Sequence, residues 1–302
     1  MKVIRRSPLG IDVAEMPEPG KPGRGKIVIK VHAASINRAD YAKKAPRNGV
    51  IAGSDVAGIV EAIGEGVEGL AVGDRVCAVT EGLQGGLAEV AIANARWTAH
   101  LPAQMSFAQG AALPSAGVTA LAAVRKSQAS PASHVLICGA SGGVGQYATA
   151  LAKATGATVT AACSARNETV ALAAGADAFV DYANGLDGIA PGSFDAILAV
   201  NGSFPISTCS RILKSKGTYV LVGVDSLQPA ALTLPLRGRR LKAATFFSLI
   251  GKDGLQQTVD EVSRCGFVPS MVLVHGFEEA AGALQALGHT HPQGKIVAVF
   301  ER

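Results

Sequence analysis

The sequence predicts an α/β chain, a doubly wound parallel sheet accompanied by a second, smaller β-rich domain. Three observations predict it. The 302 residues exceed the roughly 250–300 at which a single core tends to split in two. The first hundred residues read as runs of period two punctuated by Gly and Pro, whereas from about residue 112 helical segments alternate with short, unbroken apolar runs. A glycine-rich turn, Gly139 to Gly145, joins one such run to the helix that follows. With 48% hydrophobic, 17% charged and 5% aromatic residues, the composition is that of a folded chain and excludes a disordered, collagen-like or coiled-coil one.

In chain order, strands are expected over 26–33, 58–63, 73–79 and 87–92, whose turns take most of the local glycines. These form a compact barrel or sandwich. Beyond 112, Val135 to Cys138 reads as a strand and Gly142 to Thr155 as a helix with Val144, Ala148, Leu151 and Ala152 on one face; Gly156 closes it. Further strands follow at 158–163, 178–180, 196–200, 218–222 and 243–247, with helices near 167–174 and 205–213. A helix at 255–265 and a final strand at 295–300 complete the pattern.

Several functional classes fall away on composition. The net charge of +5 is scattered instead of gathered into a stripe, so nucleic acid is not expected. The one compact basic cluster, Arg237, Arg239, Arg240 and Lys242, reads as a solvated strand entrance. The five cysteines are dispersed in apolar stretches and read as reduced core thiols. Neither a secretory leader nor a bilayer-length helix is expected, and the cytoplasm is the expected location.

The glycine turn carries the sharpest chemical signal. Gly139-Ala140-Ser141-Gly142-Gly143-Val144-Gly145 lets backbone approach a pyrophosphate, and the helix it opens presents unpaired N–H groups to that anion. Nineteen residues past Gly145, where an NAD site would place Asp or Glu, the chain has Ser164-Ala165-Arg166-Asn167. A hydroxyl, a guanidinium and an amide suit a 2′-phosphate, which favours NADPH. Ser164 or Asn167 would also serve as a helix cap.

Over nearly its whole length the chain resembles the zinc-independent quinone oxidoreductase branch of the medium-chain dehydrogenase/reductase superfamily. The matching stretches include Asn37-Arg38-Ala39-Asp40, Gly53-Ser54-Asp55-Val56-Ala57-Gly58, Gly73-Asp74-Arg75-Val76, Gly85-Gly86-Leu87-Ala88-Glu89, the Ala140 to Gly145 loop, Gly175-Ala176-Asp177 and Gly294-Lys295-Ile296-Val297. Cys163 to Asn167 and Gly294-Lys295 look like the members that reduce α,β-unsaturated carbonyls. The resemblance implies a GroES-like domain from residues 1–112 and 248–302, a Rossmann domain over 113–247, and a cofactor cleft where they meet. It also implies a homodimer joined through the Rossmann edge near Leu241 to Phe247; the Phe246 and Phe247 rings read as edge, core or nicotinamide-pocket residues.

The same resemblance implies a metal-free hydride transfer from NADPH to a quinone or enone. Where zinc-dependent relatives have Cys, this chain has Ser35-Ile36-Asn37, and Gly53-Ser54-Asp55 replaces their Gly-His-Glu. His32, His100, His134 and His275 stand isolated, and His289 with His291, beside Pro292, reads as a loop near the cofactor. Asn37 and Tyr41 are the catalytic candidates. Thr119, Gly139, Ser141, Gly142, Gly143 and Val144 carry over to the cofactor, with Ser164, Arg166 and Tyr182 at its adenosine phosphate and Asn201, Gly223, Phe247 and Lys295 toward its nicotinamide. The chain departs from the family between Tyr41 and Ala52, a shortened segment holding Lys43, Lys44, Pro46 and Arg47. A zinc-free carbonyl reductase or alcohol dehydrogenase, and a silent NADPH-binding redox sensor, are the competing functions.

Overall fold

The computed structural model describes residues 1–42, 49–200, 204–223, 239–249, 253–289 and 293–300. Its first stretch runs β1 (Lys2–Ser7), β2 (Gly10–Glu15), β3 (Lys26–Ile36), α1 (Arg38–Ala42), β4 (Val50–Ile51), β5 (Asp55–Ile63), β6 (Arg75–Thr80) and β7 (Val90–His100). Helices α2 (Phe107–Ala112) and α3 (Pro114–Ser127) follow. Then come β8 (His134–Cys138), α4 (Gly143–Ala154), β9 (Thr158–Cys163), α5 (Glu168–Ala173), β10 (Ala178–Asp181), β11 (Phe194–Val200), α6 (Ile206–Ile212), β12 (Leu213–Val222) and β13 (Arg240–Ala244). The chain closes with α7 (Gly254–Cys265), β14 (Met271–His275), α8 (Gly276–Ala286) and β15 (Lys295–Val299).

The chain divides into two compact units. The first comprises Met1–Ser115, Ile250–Val259 and Met271–Arg302, and the second Ala116–Leu249 with Asp260–Ser270. In the first unit a six-stranded sheet runs β14-β15-β3-β5-β6-β7, with β3 also pairing β7 so that its larger part curls into a barrel. The alternation read in the sequence buries Ile27, Ile29 and Val31 of β3 against Val56, Val60 and Val76. A smaller sheet, β2-β1-β4, lies in the same unit. Ser106 and Gln109 form a reciprocal cap that starts α2.

The second unit is a six-stranded sheet, ordered β10-β9-β8-β11-β12-β13, with every pairing parallel. Renumbered from β8, that order is 3-2-1-4-5-6, in which the direction of winding reverses between β8 and β11. Leu136, Ile197, Tyr219 and Leu221 form its core with Cys138 and Cys209. Helix α4 stops at Ala154 with Thr155 as its cap, and Gly156 takes φ +85°, the left-handed conformation that ends helices.

One expected strand shifts. Residues 243–247 were expected to be extended, but β13 is Arg240–Ala244. Thr245 and Ser248 then cap one another across a 3₁₀ turn, Phe246–Ser248, which turns the two rings off the strand and leaves Phe247 61% exposed. Phe247 is therefore not a core residue. Lys43, Lys44, Pro46, Arg47, Asn201, Arg237, His291 and Pro292 lie outside the described residues.

Candidate functional site

In the second unit, the residues read as cofactor ligands collect at one edge of the sheet, where the strands end. Gly139 follows β8 with φ +73°, and its N–H donates to Ala162 O at 2.9 Å. Gly142 caps α4 without a side-chain hydrogen bond, so the first-turn N–H groups of a 12-residue helix face outward with no capping oxygen. Ser141, Gly143 and Val144 share this turn. A Cβ at Gly145 would lie 2.1 Å from Gly139 O, so only glycine lets helix and turn close together. Backbone shape and unpaired donors of this kind fit a dinucleotide pyrophosphate.

Ser164 and Arg166 follow β9, and neither expected helix cap forms there. The Ser164 side chain makes no cap bond, nor does that of Asn167. Instead the buried Asn167 amide donates to Ser141 Oγ at 3.0 Å, while Gln146 Nε2 donates to Ser141 O at 3.1 Å. Asn167 thus braces the glycine turn from beneath, and Ser164 and the exposed Arg166 follow β9 beside it. Tyr182, 47% exposed, follows β10. Gly223 follows β12 with φ +99° and its N–H donates to Ala244 O at 3.0 Å. Thr119 is buried within α3.

The first unit contains a buried polar cluster. Strand β3 delivers Ser35 and, one residue past its end, Asn37; β5 pairs on one side of it with Ser35 opposite Asp55, and β15 pairs on the other with Ile296 opposite Ile36. Lys295, one residue before Ile296, accordingly falls beside Asn37. Its ammonium donates to Asn37 Oδ1 at 2.5 Å and to Ser35 Oγ at 3.0 Å. Asn37 Nδ2 donates to Asp55 Oδ2 at 3.0 Å, with longer contacts to Ser35 Oγ at 3.3 Å and Ser54 Oγ at 3.5 Å. Asp55 also accepts from Ser35, Ser54 and both the N–H and hydroxyl of Ser115.

The electrostatics follow from that arrangement. Burial pushes the Lys295 pKa down, and the charges of Asp55 and Asp40 pull it back up. Burial, reinforced by Asp55, raises the Cys77 thiol to about 12, which makes it an inert core residue. Lys295 is only 4% exposed; it is not the surface charge that a lysine before a strand usually is. Tyr41 is apart from the cluster. Its ring lies over Gly288, where an added Cβ would come within 2.3 Å of Tyr41 Cζ. Sequence reasoning singled out Asn37 and Lys295 separately and missed that they touch. It passed over Ser35, Ser54, Asp55 and Ser115 as partners, although Ser35-Ile36-Asn37 and Gly53-Ser54-Asp55 already marked two of the three converging segments.

A doubly wound sheet whose glycine turn opens onto a dinucleotide-shaped edge, carried with a barrel-type β unit, defines a nicotinamide-dependent oxidoreductase class. The model of the alcohol dehydrogenase GroES-like domain matches residues 23–103 and that of the zinc-binding dehydrogenase family matches 143–264. The quinone oxidoreductase of Sus scrofa is 35% identical over 301 residues, 92% of this chain and 90% of that protein. The chloroplastic quinone-oxidoreductase QR1 of Triphysaria versicolor is 34% identical over 233 residues, 70% of each chain. The structure of the quinone oxidoreductase from Coxiella burnetii superposes with a TM-score of 0.83 at 26% identity, covering 100% of this chain and 99% of that one. The chain belongs to the medium-chain dehydrogenase/reductase superfamily and is an NAD(P)H-dependent oxidoreductase of it.

Zinc does not fit the first unit's cluster. Asp55 already accepts from Ser35, Asn37, Ser54 and Ser115, Asp40 accepts from the Asn37 N–H, and a buried ammonium stands beside them, where a divalent cation would be repelled. Among the described residues no group of three or more His, Cys, Asp or Glu converges. Among the same residues no helix is long and apolar enough to cross a membrane.

Proposed function

We propose that the chain is an NADPH-dependent reductase that delivers a hydride, without a metal, to a quinone or an α,β-unsaturated carbonyl. The observation that carries the cofactor choice is Ser164-Ala165-Arg166 after β9, the second strand of a 3-2-1-4-5-6 sheet, where a carboxylate would select NADH by binding its ribose hydroxyls. The exposed guanidinium offers a planar fork to a 2′-phosphate. The quinone oxidoreductases of Sus scrofa and Triphysaria versicolor support the substrate class.

When bound, NADPH supplies the hydride and thus the difficult part of the chemistry. The chain's own residues bind and orient. The open N-terminus of α4 takes the pyrophosphate, Ser164 and Arg166 the 2′-phosphate, and Tyr182 the adenosine side. Hydride addition to an enone or quinone leaves negative charge on the carbonyl oxygen, and a preorganised N–H aimed at it lowers the barrier. Asn37 is the donor of choice: one Nδ2 hydrogen is held by Asp55, and the other has only the long contacts to Ser35 and Ser54. The Tyr41 hydroxyl makes no hydrogen bond among the described residues; where Asn37 can only donate a hydrogen bond, a phenol can also give up its proton. Unchanged turnover in Tyr41→Phe takes it out of the mechanism.

The test is NADPH oxidation against a graded series of quinones, enones and simple aldehydes, with product analysis. Saturated ketone or hydroquinone as product is expected. Alcohols formed from aldehydes alone would replace this reading with the carbonyl-reductase one, and tight NADPH binding without turnover on any substrate would replace it with a redox-sensing one.

A further inference from the structure

We propose that Lys295 is a positioning residue, whose charge holds the Asn37 amide in the one orientation that presents an Nδ2 hydrogen to the substrate oxygen. The inference rests on the reductase reading and assigns a task to a residue whose family resemblance pointed only to the nicotinamide half of the cofactor. An asparagine amide is nearly symmetric in shape, and two flipped orientations compete wherever its surroundings offer both donors and acceptors. Here they do not. An ammonium has only donors and a carboxylate only acceptors, so with Lys295 on one side and Asp55 on the other the amide has a single satisfactory placement: Oδ1 toward Lys295 and Nδ2 toward Asp55.

Strand pairing enforces the arrangement. β15 brings Lys295 and β5 brings Asp55 to opposite flanks of β3, so both amide partners are set by backbone ladders and not by flexible loops. The charged groups that face Lys295 are Asp55 from β5 and Asp40 from α1. Asp40 also accepts from the Asn37 N–H at 2.7 Å, and Cys77 of β6 faces Asp55 with its thiol kept protonated by burial. Two Lys295 hydrogens are engaged, on Asn37 and Ser35. An ammonium spent on side chains of its own unit is better placed to order them than to bind cofactor. Because burial lowers the Lys295 pKa, loss of its proton at alkaline pH would free the amide to turn.

The experiment compares the full-length wild type with Lys295→Met, Lys295→Arg and the double variant Lys295→Met/Asp55→Asn, using NADPH with 2-cyclohexen-1-one and 1,4-naphthoquinone. The double variant removes both charges, so that a folding defect from an unpaired buried carboxylate does not decide the result. Lys295→Met and the double variant are expected to lose about 10- to 100-fold in kcat, with the KM for NADPH little changed. Lys295→Arg is expected to recover part of the rate and to move the alkaline fall in kcat beyond the measured range. In parallel, the Asn37 side-chain amide ¹H–¹⁵N signals of the wild type are followed with pH and compared with the double variant. They should shift together at alkaline pH in the wild type and be displaced and pH-independent in the variant.

Wild-type kcat in the double variant, a raised KM for NADPH with unchanged kcat, or Asn37 signals indifferent to both pH and Lys295 would each overturn the proposal. Absence of turnover by the wild type on either substrate would count against the reductase reading. The amide signals would still decide whether Lys295 holds Asn37.

Discussion

At the scale of single residues, two positions separate backbone demands from chemical ones. Replacing Gly145 with Ala would ordinarily gain about 1 kcal/mol of helix propensity. Here the added Cβ would lie 2.1 Å from Gly139 O and 2.7 Å from Ala140 Cα, contacts with backbone that cannot swing away. The variant is expected to lose about 1–3 kcal/mol or more, read as a lower Tm together with weaker NADPH binding. Arg166 is exposed, so Arg166→Ala should change Tm little. It should weaken NADPH by about 1.5–3 kcal/mol, roughly 10- to 100-fold in Kd, while barely affecting NADH; equal losses for both cofactors would refute the phosphate role. The buried polar cluster illustrates why residue types alone understate a site. Ser35, Asp55 and Lys295 fall in separate stretches of sequence, and their meeting depends on the register of two strand pairs.

At the scale of elements, the start of the parallel sheet carries an acid-sensitive lock. The β8 residue His134 donates its N–H to Asp195 Oδ2 at 2.9 Å, its ring lies 4.5 Å from that of Phe194, and Nε2 is 2.8 Å from Thr160 Oγ1. Burial lowers the His134 pKa below 6.5, with Asp195 opposing. For Asp195, burial acts to raise the pKa but is outweighed by the hydrogen bonds from Lys214 and His134, so the value ends below 3.8. Asp177 is likewise lowered, first by its hydrogen bond from Lys153. In each case the unfolded state holds the proton more tightly than the folded one, so stability is complete above the unfolded pKa and falls with pH below it. Thermal melts should therefore weaken in two stages on acidification, the first below about pH 6.5, and His134→Gln should remove that first stage.

The elements also show what patterning can and cannot deliver. The parallel strands were legible because they are short apolar runs between glycine-marked helices; β12 begins five residues before its expected start, and β13 was misplaced, since the apolar Phe246-Phe247 extends the run past the point where Thr245 and Ser248 turn the chain. β1, β2, β4 and β14 and the helices α1, α2, α3 and α8 were not read from the sequence. β14 is an edge strand with Val272 and Leu273 exposed, so it shows no alternation of buried and polar positions to read.

For the whole molecule, the fold class was legible from the change of texture near residue 112, and the glycine turn marked the start of α4. What sequence could not supply was the content of the polar cluster, because Lys295 and Asn37 are 258 positions apart and nothing local in either segment refers to the other. We expect a homodimer formed through the β13 edge of the second unit's sheet, and sedimentation equilibrium at micromolar concentration should give twice the chain mass; a monomer would remove that expectation. The long separation has a further consequence for biosynthesis. On the ribosome Ser35, Asn37 and Asp55 emerge early, and the barrel strands that carry them can pair while the rest of the chain is still being made. Their cation is encoded on β15, 258 positions after Asn37. Without the pairing of β15 to β3 the buried carboxylate would have no ammonium beside it, so completion of this cluster is tied to the pairing of two strands that lie far apart in the chain.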